Sequence, residues 1–165
     1  MIIDGGAVPI GVESTILDMT VTPPMILRPG AITKEMLEEL IGEVSVDRAL
    51  ISSESKEPPK APGMKYRHYA PKAQMTIIEG RRDRVKSEIE RLKVLNERLG
   101  LKVGVILFEE QAFIEAAHDF FSKLRDLDNE GVDLILAGAL SDKDGVGFAV
   151  MNRMFKSAGY NIARV

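Results

Sequence analysis

Three short clusters hold the residues best suited to chemistry. Lys65-Tyr66-Arg67-His68-Tyr69 places two cations, an imidazole and two of the chain's three tyrosines in five positions, between Pro62-Gly63 and Pro71. Guanidinium and ammonium groups meet phosphate oxygens, and an aromatic or imidazole plane covers a base, so this cluster suits a nucleoside phosphate. The same residues equally suit a connecting loop held to a domain surface by tyrosine packing, with its charges in water. Ordering a loop costs about 1–2 kcal/mol per residue, whereas a charge-assisted hydrogen bond returns about 1.5–3 kcal/mol. The nucleotide-binding version is therefore a lid, partly docked through its tyrosines and fixed by ligand.

Gly11-Val12-Glu13-Ser14-Thr15 puts two hydroxyls and a carboxylate after a glycine turn at a strand start, where Ser14 can donate to a substrate carboxylate or simply decorate an edge strand. Leu27-Arg28-Pro29-Gly30 sets an arginine at a strand end beside a rigid turn, as an anion contact or as a surface cation. Other patterns are weaker. Asp144-Gly145-Val146-Gly147 lacks the third glycine of a dinucleotide fingerprint and follows a late strand, so a turn before a helix fits it better. His118 has no second histidine or cysteine beside it, and Arg81-Arg82-Asp83-Arg84 reads as the solvated start of a helix.

The elements that must position these clusters fall into three sections. Residues 1–48 predict strands at 1–3, 12–17 and 25–27, then a helix after Thr33 with Met36, Leu37, Leu40 and Ile41 as its apolar face and Gly42 as its stop. Such a section makes a poor core, and its strand edges call for another copy or a partner chain to cover them. Residues 49–73 read as a linker and lid loop, polar and rich in proline. Residues 74–165 alternate strand and helix. Strands are expected at 75–79, 103–108, 132–137 and 161–165, and helices at 82–99, 111–127 and 147–158. The helices carry Val85, Ile89, Leu92, Leu95 and Leu99, then Ile114, Ala117, Phe121 and Leu124, then Val150, Met151 and Met154 as apolar faces. Alternation with continuous apolar strands means a parallel sheet joined by right-handed crossovers, a small Rossmann-like α/β domain behind an incomplete α/β remnant.

Composition narrows the classes. Lys+Arg 22 against Asp+Glu 25 leaves a net charge of −3 over 165 residues, too weak a field for nonspecific nucleic-acid binding. The absence of cysteine excludes disulfides, thiolate metal sites and cysteine nucleophiles, and two histidines make a structural zinc site improbable. No apolar run reaches the ~18 residues of a membrane span, and no basic leader opens the chain. A cytoplasmic protein with no membrane association and no direct tRNA contact is the expectation.

Asp4-Gly5-Gly6, Gly11-Val12-Glu13-Ser14-Thr15, Leu27-Arg28-Pro29-Gly30 and Pro62-Gly63-Met64-Lys65-Tyr66-Arg67-His68-Tyr69-Ala70-Pro71, in this order and spacing, resemble the two-domain threonylcarbamoyl-adenylate synthases. These join a YrdC-like catalytic domain to a smaller C-terminal domain. Leu124-Arg125-Asp126-Leu127-Asp128 and the stretch from Gly145 to Arg153 are similar to that C-terminal domain. The resemblance covers nearly the whole chain, with the linker motif as its most specific part.

What it implies is a nucleotidyltransferase making L-threonylcarbamoyl-AMP and pyrophosphate from L-threonine, bicarbonate and ATP, for tRNA threonylcarbamoyladenosine modification. Ser14 then belongs to the threonine site, Arg28 and His68 bind ATP, and Tyr66, Arg67 and Tyr69 support the lid. Magnesium arrives with ATP, and no carboxylate pair here marks a protein-held metal. The family's long YrdC-like region, with its Lys-x-Arg and Ser-x-Asn substrate elements, is not found in these 165 residues. Charge stabilisation at a transferred phosphate needs several preorganised cations. The isolated chain is therefore expected to be inactive, a C-terminal portion of such a synthase. The alternative is a stand-alone nucleotide- or partner-binding regulatory module.

Overall fold

A computed structural model describes residues 1, 3, 6, 10–51, 70–109, 112–140 and 145–165. The large sheet has four strands, β4 (Gln74–Glu79), β5 (Val103–Ile106), β6 (Leu134–Gly138) and β7 (Ile162–Arg164), in the order β5-β6-β4-β7 and all parallel. Three helices make the crossovers: α3 (Arg82–Arg98), α4 (Phe113–Glu130) and α5 (Gly145–Ser157). Side chains alternate between the two faces of each strand. Ile78 and Leu136 point to Val85 and Ile89 of α3, while Met75, Ile77, Ile106, Ile135 and Ala137 join Phe120, Leu124, Val150 and Met154 of α4 and α5. One helix thus covers one face and two cover the other, as right-handed crossovers in this strand order require.

The expected Rossmann-like class is what the chain forms, with shifts at the element ends. On α3, Val85, Ile89 and Leu92 pack, but Leu95 and Leu99 are exposed. On α4, Ile114 faces solvent at 61 % exposure, and Ala116 and Phe120 take the buried stripe beside Ala117, Phe121 and Leu124. Leu127 also packs, seated on Gly104, where a Cβ would lie 2.7 Å from its Cδ2. A glycine in the strand is what lets α4 approach that closely.

The small sheet comprises β1 (Ile16–Asp18), β2 (Met25–Arg28) and β3 (Ser45–Val46), with β1 antiparallel and β3 parallel to β2. Helix α1 (Lys34–Ile41) starts at Thr33, whose Oγ1 accepts from the Met36 N–H at 3.3 Å, and stops at Gly42. A short helix, α2 (Arg48–Ile51), follows. Its buried core is small: Ile26, Val44 and Leu50, with Leu17, Leu37, Val46 and Phe148 packed on them.

Three sequence expectations are corrected here. Met1 and Ile3 are exposed and outside any strand. Val12 is not in a strand but buried among the α4 and α5 residues of the large core, so β1 begins only at Ile16. The apolar face of α1 packs only through Leu37, while Met36, Leu40 and Ile41 are exposed, because none of the three joins a core cluster. No helix among the described residues is long and apolar enough to cross a membrane.

Candidate functional site

The chain around Ser14 is held residue by residue. Arg28, at the end of β2, donates from Nε to the Ser14 carbonyl at 2.8 Å. Thr15 donates from Oγ1 to the Ile32 carbonyl at 2.6 Å. Gly30 lies directly against this segment, and a Cβ there would sit 2.5 Å from the Thr15 nitrogen. Ile16 opposite Arg28 is the first pair of the β1–β2 ladder, so Ser14 falls just beyond the paired strand. There its side chain is exposed rather than packed. Arg28 is half-buried, and apart from Nε its donors make no hydrogen bond to a described residue. The result is an exposed serine next to a guanidinium braced through its Nε. A hydroxyl suits an amino-acid carboxylate or ammonium, and a guanidinium suits phosphate or carboxylate.

The support comes from across the molecule, on α5. Arg153 is almost fully buried and pairs with Glu13, Nε to Oε2 at 2.7 Å. One turn later lies Lys156, also buried. Its ammonium is pushed down to about 8, first by burial and then by Arg153, with Arg28 in the same sense and Glu13 opposing. Asn152 donates from Nδ2 to the Leu50 carbonyl at 3.2 Å, and Phe148 packs on the small core. At the start of α5, the Gly145 N–H helps hold the Glu35 carboxyl below the usual range, a shift owed first to the Thr33 hydroxyl. Gly11 lies against α4, where a Cβ would be 2.5 Å from the His118 carbonyl oxygen.

A cavity of about 160 Å³ opens along this seam, lined by Pro29, Gly30, Thr33, Glu35, Gly145 and Phe148 among others. That volume is below the roughly 300–1,000 Å³ of small-molecule sites. Among the described residues there is no cluster of three or more metal-ligating side chains.

Of the residues singled out from sequence, Ser14 and Arg28 are brought together. Tyr66, Arg67, His68 and Tyr69 lie outside the described residues. His118 is an exposed helical residue hydrogen-bonded to Asp119, and Arg81 pairs with Asp83 at the start of α3. Sequence reasoning missed Glu13, Arg153 and Lys156 as site components. No short-range spacing marked them: of the α5 stripe at 145, 148, 152 and 156, opposite Val150, Met151 and Met154, only Lys156 belongs to this set, and Glu13 meets Arg153 through packing.

Fold and site together define an α/β protein in which a parallel-sheet domain braces a serine–arginine pair carried by a smaller sheet. Residues 32–159 match the family described as "Threonylcarbamoyl-AMP synthase, C-terminal domain". The chain is 45% identical to the threonylcarbamoyl-AMP synthase of Pyrococcus abyssi, over 99% of this chain and 51% of that protein. It is 40% identical to the Bacillus subtilis protein of the same name, over 99% of this chain and 50% of that one. The crystal structure of P. abyssi Sua5 complexed with L-threonine superposes with a TM-score of 0.89 at 42% identity, covering 98% of this chain and 50% of that one. The chain belongs to the threonylcarbamoyl-AMP synthase family and corresponds to its C-terminal domain. It spans about half the length of the curated relatives it matches.

Proposed function

We propose that this chain is the C-terminal portion of an L-threonylcarbamoyladenylate synthase, acting in the cytoplasm on L-threonine, bicarbonate and ATP to supply tRNA threonylcarbamoyladenosine modification. The observation that carries this reading is the juxtaposition of Ser14 with Arg28, whose Nε donates to the Ser14 carbonyl at 2.8 Å. Ser14 takes the amino-acid end of threonine, and Arg28 takes phosphate oxygens of ATP, with magnesium arriving on the nucleotide. On the family motif, His68 adds a further ATP contact, with Tyr66, Arg67 and Tyr69 supporting it. Two cations do not make a phosphoryl-transfer pocket. Synthase activity therefore requires the half of the relatives that this chain does not span. The outer edges of the small sheet, β1 and β3, are where that half or a second copy would pair.

The test is pyrophosphate release from ATP dependent on both threonine and bicarbonate, with the 165-residue chain alone and with a separately expressed YrdC-like domain. Activity only with the partner, lost in Arg28→Ala, supports the reading. Activity of the chain alone would overturn the requirement for a second half. Failure of the chain to bind the partner domain, threonine or ATP would point to a regulatory module. Light scattering after size exclusion checks the edge pairing: an association that persists when a proline is placed in β1 would remove β1 from the interface.

A further inference from the structure

The segment Glu13-Ser14-Thr15 carries one tie per residue, and the three ties differ in origin. Ser14 and Thr15 are bonded to Arg28 and Ile32, both in the small unit. Glu13 alone of the three reaches α5, through Arg153. The small unit's core cluster has three buried apolar residues, Ile26, Val44 and Leu50, and borrows Phe148 from α5 to complete it. By contrast, the opposite face of α5, through Val150, Met151 and Met154, is set in the large core with Phe120, Phe121 and Ile135. The position of the Arg153 guanidinium is therefore dictated by the large sheet, not by the small one. A buried ion pair contributes little net stability, because desolvating both charges offsets most of their attraction. Its effect is geometrical: breaking it leaves a charge out of water, so the two groups stay together. Lys156, one turn along, adds a second buried cation, whose charge feels Arg153, Glu13 and Arg28.

We propose that Arg153 is a positioning residue of the substrate site, acting through Glu13 to hold the Ser14 hydroxyl and the Arg28 guanidinium in the relative placement that substrate recognition needs. This rests on the assignment of Ser14 and Arg28 to threonine and ATP. A C-terminal domain that supplies no substrate contact through this residue thereby still sets the quality of the site.

The experiment has two arms, so that failure of the assignment and failure of the positioning role give different results. In the first, hydrogen exchange is followed by mass spectrometry on the 165-residue chain as wild type, Arg153→Met and Glu13→Gln. Expected is exchange faster by about tenfold in peptides covering residues 13–17 and 28–32, with peptides of α4 and β6 unchanged. Glu13→Gln alters a half-buried group outside both large helices, and so tests the same link if Arg153→Met does not fold. Unchanged exchange at 13–17 and 28–32 in a folded variant overturns the proposal, whatever the assay of function shows. In the second arm, the chain completed by its partner domain is assayed with threonine varied. A rise in threonine KM of about tenfold, with kcat reduced by no more than about threefold and part of the loss recovered in Arg153→Lys, supports positioning. An unchanged KM, or equal losses in Arg153→Lys and Arg153→Met, overturns it. A completed wild type without activity counts against the assignment of Ser14 and Arg28, and the exchange arm still decides whether Arg153 orders them.

Discussion

A lysine enclosed beside two arginines and one glutamate makes folding sensitive to pH in a defined window. Lys156 has its ordinary value near 10.5 in the unfolded chain and about 8 when folded. Between those values the unfolded chain holds a proton that the folded chain has released, so stability rises with pH across the window. Below pH 8 both states are protonated, and the full burial cost, about 3 kcal/mol, opposes folding. Urea midpoints for wild type and Lys156→Met should therefore differ by a constant amount below pH 8, in favour of the variant. The wild type should close that difference as pH approaches 10.5. A difference that does not change with pH would mean the ammonium keeps its ordinary value. At Gly30 the constraint is contact rather than charge. An added methyl would meet the Thr15 nitrogen at 2.5 Å and the Ser14 carbonyl carbon at 2.8 Å, both backbone atoms that cannot turn aside. Gly30→Ala should cost about 1–3 kcal/mol by thermal or urea unfolding. It should also weaken threonine binding in the completed enzyme, since the displaced atoms belong to the Ser14 segment.

At the scale of elements, α5 is a helix with two partners. Its apolar face was legible because Val150, Met151 and Met154 recur at helical spacing beside an apolar strand pattern. Its other face was not, because its partners are remote in sequence: Asn152 bonds Leu50 across 102 positions, and Arg153 pairs with Glu13. Charged side chains on a helix are read by default as solvated, and only packing shows that these are enclosed. The two faces predict two phenotypes. Met154→Ala empties part of the large core and should lower global stability by about 2–5 kcal/mol. Phe148→Ala removes the cap of the small core, so residues 16–51 should exchange amide hydrogens faster while β4 and β6 keep their protection. Equal acceleration in both sheets would show that α5 does not separate them. The exposed apolar residues of α1 give the reverse case: Leu40, 83 % exposed, should tolerate Leu40→Ser within about 0.5 kcal/mol in this chain.

For the molecule as a whole, the large sheet is self-sufficient and the small one is not. Among the described residues, the large core draws on only Val12 from the small unit's side of the chain, whereas the small core depends on Phe148. Residues 70–165 expressed alone should retain cooperative unfolding. Residues 1–51 alone should show neither a cooperative transition nor amide protection, as checked by circular dichroism and nuclear magnetic resonance. A folded 1–51 fragment would contradict the role given to α5.

From the sequence alone came the class of the large domain, since strand–helix alternation with continuous apolar strands permits little else than a covered parallel sheet. The motifs from Gly11 to Gly30 and around His68 likewise marked the family before any coordinates. Local patterns sufficed there because period and turn chemistry act over a few residues. What tertiary structure alone decided was where Val12 is buried, that α1 leaves most of its apolar face in water, and that Glu13, Arg153 and Lys156 stand behind Ser14 and Arg28. Those outcomes depend on which surfaces meet across more than a hundred residues. No short-range spacing records a choice made by packing and by the desolvation of paired charges.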